Sequence, residues 1–254
     1  MEIEFLGTGT STGVPVIGCQ CDTCTSADPH DRRLRASAII RVKGISILID
    51  CGPDFREQML RASDHHIDAL LVTHSHYDHV GGIDDIRPYS FDADFPIYCK
   101  DDVAHDIRTR LPYCFKEHLY PGVPKLDLRD IKPYNKFSIQ GIDVLPMLIW
   151  HYKLPILGFR IGHMAYITDA KSIPENTFAD LHDIDTLIIN ALRHKPHMSH
   201  MSLSESLDAI NRIKPRVAYL THMSHDIGLH DDIERQLPDN VHLAYDGLTV
   251  KCPY

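Results

Sequence analysis

No run of apolar residues in this 254-residue chain approaches the roughly 18 that a membrane span needs. Positive charge is also scarce. Lys and Arg number 26 against 35 Asp and Glu, a net charge of −9 that argues against a broad basic surface and therefore against a large nucleic acid as partner, although a local basic patch stays open. Seven cysteines are an odd count, and three of them crowd into residues 18–24, so a disulfide framework is not indicated and reduced thiols are. The opening MEIEFLGTGTS is charged and glycine-rich where a secretory leader would be apolar, so the cytoplasm is the expected compartment. Low-complexity tracts and repeats of 20–50 residues are missing as well, which excludes solenoids and leaves one domain over residues 1–254. What remains is an ordinary globular composition, 43% hydrophobic, with one Trp and 18 His.

Apolar runs mark the strands. MEIEFLG alternates Glu2 and Glu4 with Ile3 and Phe5, and SAIIRVKGISILIDCG reads as a hairpin about Lys43-Gly44. IDALLVTHSH, FPIYCK, FSIQGIDVLPMLIW, ILGFRIGHMAYITDA, DTLIINA and RVAYLTHMSH continue the pattern. Helices are expected in PDFREQMLRAS, DDVAHDIRTRL and SLSESLDAINRI, the last with Ser202 and Glu205 spaced as a capping box. Residues 110–135, with four prolines, read as an irregular lid or rim. The fold class is α/β.

THSHYDHVGG packs His74, His76, Asp78 and His79 into six positions at the end of an apolar strand. Packing gives little reason for such a loop. His151, Asp169 and His222 recur where later apolar runs stop. Imidazole and carboxylate suit zinc, iron or manganese. Two such ions about 3.5–4 Å apart can hold a water and lower its pKa. Seven ligands divide into three for each ion and one shared carboxylate. Upstream, GCQCDTC spaces Cys19, Cys21 and Cys24 as ligands for one tetrahedral ion, but a closed zinc site wants four. Three free or redox-active thiols are the alternative. Cys51, Cys99, Cys114 and Cys252 are scattered and read as incidental.

FLGTGTSTGVP, LIDCG, THSHYDHVGG, His151, YITDA and LTHMSH, taken in order along nearly the whole chain, resemble the metallo-β-lactamase superfamily. The resemblance implies an αββα sandwich in a single domain. It implies His74, His76 and His151 on one metal, Asp78, His79 and His222 on the other, and Asp169 bridging. The cysteines narrow it. GVP followed by C-x-C-x-x-C, together with LTH-x-SH, is similar to the PhnP-like cyclic phosphodiesterase branch. That likeness implies a structural zinc on Cys19, Cys21, Cys24 and His225, and a catalytic role for His200, a cationic imidazole that holds a phosphate oxygen or protonates the leaving group.

The expected activity is hydrolysis of small or cyclic phosphodiesters by a metal-bridging hydroxide, with Asp78 and His200 as catalytic groups. The expected cofactors are two divalent ions (zinc or manganese, with iron open) and one structural zinc. Four positive charges from two ions, less three from Asp78, Asp169 and hydroxide, leave a surplus that favours an anionic substrate. A tRNA 3′-processing nuclease is the first alternative, but it is expected to carry a long basic arm, and this chain shows no such cluster of Lys and Arg for a phosphate-rich partner. A thioester or lactam hydrolase and a non-catalytic metal-binding domain are the others. Substrate contact is open for Asp84, Arg87, Tyr89 and Arg108, with surface roles favoured. No membrane association is expected, and the oligomeric state is open, a homodimer included.

Overall fold

The computed structural model describes residues 1–254. Two seven-stranded sheets are laid down one after the other. The first holds β1 (Glu2–Gly7), β2 (Ser37–Val42), β3 (Ile45–Ile49), β4 (Ala69–Leu71), β5 (Phe95–Cys99) and β6 (Leu126–Asp130). The second holds β7 (Phe137–Ile139), β8 (Ile142–His151), β9 (Leu154–Ile161), β10 (Met164–Ile167), β11 (Thr186–Asn190), β12 (Val217–Thr221) and β13 (Val241–Leu243). A last strand, β14 (Thr249–Lys251), returns to pair antiparallel with β1.

Period-two alternation builds the layers. Ile47 and Ile49 of β3 point between the sheets, where they join Phe5, Leu157, Phe159 and Tyr166. Leu48 points the other way, into a cluster with Phe55, Met59 and Ile107. In the second sheet Ile167, Leu187 and Leu220 face outward onto Leu203 and Ile210. Strands buried on both faces read as unbroken apolar runs, as LLV and LIIN do.

The helices cover the outer faces. They are α1 (Asp22–Thr25), α2 (Phe55–Arg61), α3 (Tyr77–Val80), α4 (Asp101–Arg110), α5 (Glu175–Asp180), α6 (Leu203–Ile213) and α7 (His230–Glu234). The expected αββα sandwich is the observed fold. In α6 both arms of the capping box form, with Ser202 Oγ accepting from Glu205 N–H and the Glu205 carboxylate accepting from Ser202 N–H. Lys43 and Gly44 turn the β2–β3 hairpin with φ of 50° and 80°, a left-handed pair that matches the strand twist.

One expectation needs correction. Residues 110–135 are not a free lid: β6 lies there, paired parallel with β5, after a short 3-10 turn at Pro112–Phe115. Asp127, Arg129 and Asp130 disguise it, because an edge strand can carry charge along its length.

Candidate metal centre

Every sequence-predicted ligand of the histidine loop and the later strands lies at one end of the sandwich. β4 runs out through Thr73 into His74 and His76, and α3 carries Asp78 and His79. β8 ends on His151, while Asp169 and His222 follow β10 and β12. Asp50, Asp169 and His222 are each left-handed, with φ of 58°, 55° and 55°. A non-glycine residue pays roughly 1–2 kcal/mol for that conformation. Each is fully buried at a strand end, where the surrounding packing holds it.

The ligand atoms of His74, His76 and His151 lie within 4.8 Å of one another, and so do those of Asp78, His79 and His222. His74, His79 and Asp169 form a third group that joins the two. Asp169 reaches His79 Nε2 at 3.2 Å through one oxygen and His222 Nε2 at 3.2 Å through the other. Asp78 lies 3.2 Å from His79 Nε2. Buried imidazole nitrogens around the centre lack ordinary partners: His74 Nε2, His79 Nε2 and both nitrogens of His222 make no hydrogen bond. An unsatisfied buried polar group costs about 1–3 kcal/mol, so this many in one place fit a cation that the protein expects to hold.

Neighbouring groups orient the imidazoles. His79 donates from Nδ1 to Asp50 at 2.6 Å, which turns Nε2 toward the centre. Asp50 in turn accepts from the backbone N–H and hydroxyl of Thr73, both at 2.8 Å. His151 donates from Nδ1 to the carbonyls of Asp169 and Ser199, each at 2.8 Å. Burial opposes a charge on His79, but Asp169, Asp50 and Asp78 outweigh it and raise its pKa well above the usual range. The site thus demands positive charge at that nitrogen, from a proton or a metal. Burial also opposes ionisation of Asp169, yet His222 and His79 hold its carboxyl well below the usual range. Burial, with His79 beside it, pushes His74 well down, which leaves a neutral ligand.

His200 lies at the same centre, with Nε2 3.6 Å from Asp169 and its ring stacked 4.6 Å from His151. Burial and the neighbouring His222 push its pKa down to about 3. These surroundings oppose the charge expected on this imidazole. His197 stacks on it at 5.1 Å, and His194 bonds the Ile227 carbonyl away from the centre.

The second cluster also assembles. Cys19, Cys21, Cys24 and His225 place their ligand atoms within 4.8 Å of one another. Nδ1 of His225 lies 3.4 Å from Cys19 Sγ and 3.2 Å from Cys21 Sγ. Cys24 sits in α1 and accepts from Val16 N–H. Three soft thiolates and one imidazole suit zinc, and four ligands leave no open position.

Three of the rim residues are engaged elsewhere. Arg87 pairs with Asp84, the Tyr89 hydroxyl donates to the His65 carbonyl, and Arg108 lies over the Phe115 ring. Asp50 lies within LIDCG, where its only signal in the sequence is an acidic residue closing an apolar strand.

The sequence profile of the beta-lactamase superfamily domain matches residues 46–223, which contain all seven candidate ligands of the His/Asp centre. The chain belongs to the metallo-β-lactamase superfamily. Within it the chain is PhnP-like: the crystal structure of a new diphosphatase from the PhnP family is 39% identical, superposes with a TM-score of 0.92, and is matched over 98% of this chain and 96% of that one. Zinc-bound PqqB from Methylobacterium extorquens shares the fold at 18% identity, with a TM-score of 0.80 over 99% of this chain and all of its own. Among curated proteins, an octanoyltransferase of Porphyromonas gingivalis is 44% identical over 98% of this chain and 51% of its own length. A ribonuclease Z of Methanopyrus kandleri is 30% identical over 63% of this chain and 50% of its own. The chain thus spans about half the length of these two curated relatives.

Proposed function

We propose that the chain hydrolyses phosphoester bonds of small molecules, phosphodiesters or diphosphates, at the His/Asp centre with two divalent ions. The observation that carries this reading is the set of unpartnered imidazole nitrogens converging around one ionised, buried Asp169. His74, His76 and His151 would hold one ion, Asp78, His79 and His222 the other, and Asp169 both. When bound, such a pair supplies Lewis-acid polarisation of a phosphoryl oxygen and a water acidified toward neutral pH.

The chain's own groups do the rest. Asp50 and the Ser199 carbonyl fix the orientation of His79 and His151. His200 offers an imidazole for hydrogen bonding to a phosphoryl oxygen and, when protonated, for giving a proton to the leaving oxygen. The diphosphatase neighbour supports a phosphorus substrate, and the net charge of −9 supports a small one. We assign Cys19, Cys21, Cys24 and His225 to a structural zinc.

A second reading, acyl-thioester chemistry, has one observation behind it, the similarity to an octanoyltransferase, half of whose length lies outside the match. A hydrolysis panel on enzyme loaded with zinc or manganese separates the two. It should include bis(p-nitrophenyl) phosphate, a 2′,3′-cyclic nucleotide, a ribose 1,2-cyclic phosphate, a dinucleoside diphosphate, pre-tRNA and an octanoyl thioester. Turnover of the small phosphoesters with none of the thioester is expected. Turnover of the thioester or pre-tRNA alone would overturn the proposal.

A further inference from the structure

The segment 194–200, between β11 and α6, carries His200 but makes no backbone–backbone hydrogen bond. Its ends are pinned, because Leu192 N–H donates to the Met201 carbonyl and Leu203 N–H to the Arg193 carbonyl. Between those pins side chains hold the chain. Arg193 donates to the carbonyls of Lys195 and Pro196, and His194 Nε2 to that of Ile227. A backbone without its own ladder keeps one course only where such contacts fix it.

His200 has no bond behind its ring. His79 and His151 are each turned by an acceptor at Nδ1, whereas Nδ1 of His200 is buried without a partner. Its Nε2 stands 3.6 Å from Asp169, outside hydrogen-bond length. Three other rings surround it instead. His151 stacks on it at 4.6 Å and 23°, His197 stacks at 5.1 Å and 29°, and His222 meets it edge-on at 5.0 Å and 77°. His151 and His222 are candidate ligands with a task of their own. His197 is not one of them, and it belongs to the same segment as His200. Ser199 N–H donates to His197 Nδ1 at 3.3 Å, while the Ser199 carbonyl accepts from His151 Nδ1 at 2.8 Å. One residue thus ties down both rings that stack on His200.

We propose that His197 is a positioning residue that holds the His200 imidazole toward the leaving oxygen by stacking. This rests on the phosphoester reading above. Stacking fixes the plane of a ring and leaves its nitrogens free to bond an oxygen of the substrate. A small tilt matters, because a displacement of about 1 Å in a catalytic group can cost about 10²-fold in rate.

Two diesters that differ in the leaving group test it on metal-loaded enzyme, methyl p-nitrophenyl phosphate and methyl phenyl phosphate. p-Nitrophenolate departs well without a proton, whereas phenolate gains more from one. His197→Ala should lower kcat on the phenyl ester by about 10–10²-fold, the scale of a misplaced catalytic group. On the nitrophenyl ester the loss should stay below about threefold, since little proton transfer is needed there. KM and metal content should keep their wild-type values. In a His200→Ala background the same substitution should cost no more than about twofold, because a residue that acts through another adds nothing once that other is gone. Equal losses on the two esters, or an undiminished loss in the double variant, would overturn the proposal. Crystals of His197→Ala read the positioning without turnover. The His200 ring should turn out of its stack on His151, and a ring left in its wild-type place overturns the proposal. If the ring turns but wild type cleaves neither ester, the phosphoester reading fails and the assignment falls with it.

Discussion

His222 and His225 lie three residues apart on one segment, yet they serve clusters built from opposite materials. The His222 cluster is imidazole and carboxylate, nearly all of it buried, with the rings of His74, His79 and His151 held from behind by a hydroxyl, a carboxylate and a carbonyl. The His225 cluster is three thiols and one ring, half-exposed, with a backbone N–H, that of Val16, behind Cys24. The first carries more donors than one ion can use and keeps a buried imidazole, His200, in reserve. The second has the four that a tetrahedral ion needs. Spare donors and a closed set are the difference between a site for chemistry and a clip for a loop.

Breaking the centre of the first cluster should have the largest effect. Asp169→Ala removes the carboxylate that lies 3.2 Å from His79 through one oxygen and 3.2 Å from His222 through the other. Turnover should fall at least about 10³-fold, which is about 4 kcal/mol of transition-state stabilisation, and metal content should fall with it. His200→Ala sharpens the contrast. The rate should drop roughly 10²–10⁴-fold for a lost proton-transfer group, while metal content by mass spectrometry stays at the wild-type value. Metal loss in the His200 variant would make that ring a ligand instead.

The next effect acts one step behind the ligands. A carboxylate behind a ligating histidine is worth about 10–100-fold in metal affinity. Asp50→Asn keeps the oxygen shared by His79 and the Thr73 hydroxyl but turns an amide toward the Thr73 backbone N–H. Metal affinity, read by competition with a chelating dye, should weaken by that factor while the fold persists. Unchanged affinity would leave Asp50 as packing.

This difference between ligand and support explains what the sequence could tell. H-x-H-x-D-H is local, so one loop displays four ligands at once. His151, Asp169 and His222 are far apart but share a position at the end of an apolar run, which is itself a pattern. Asp50 shares it too, but its role exists only where β3 and the histidine loop meet, and no spacing along the chain encodes that contact. The left-handed backbone at Asp50, Asp169 and His222 was equally hidden, because glycine, the usual signal, is absent there. In the fold, apolar strands and the capped α6 were legible, whereas β6 was not. Its partners supply backbone bonds on one side only, and its charged residues read as loop.

The smallest effect on catalysis and the clearest on stability should come from the second cluster. Cys21 Sγ lies 3.2 Å from His225 Nδ1 across 204 residues of chain. A link over so long a loop restricts the unfolded chain by up to about 5 kcal/mol. At roughly 2–4 °C per kcal/mol for a protein of this size, Cys21→Ser should lower the melting temperature by about 10–20 °C and release one zinc per chain. The lost clip reaches catalysis only through the segment shared with His222. Measured well below its melting point, the variant should keep turnover within about tenfold of wild type, far above Asp169→Ala. Wild-type zinc content and melting temperature in Cys21→Ser would reduce the cluster to ordinary thiols. A collapse of turnover as deep as that of Asp169→Ala in a still-folded protein would mean that the two clusters form one functional unit, and that the division between chemistry and clip is wrong.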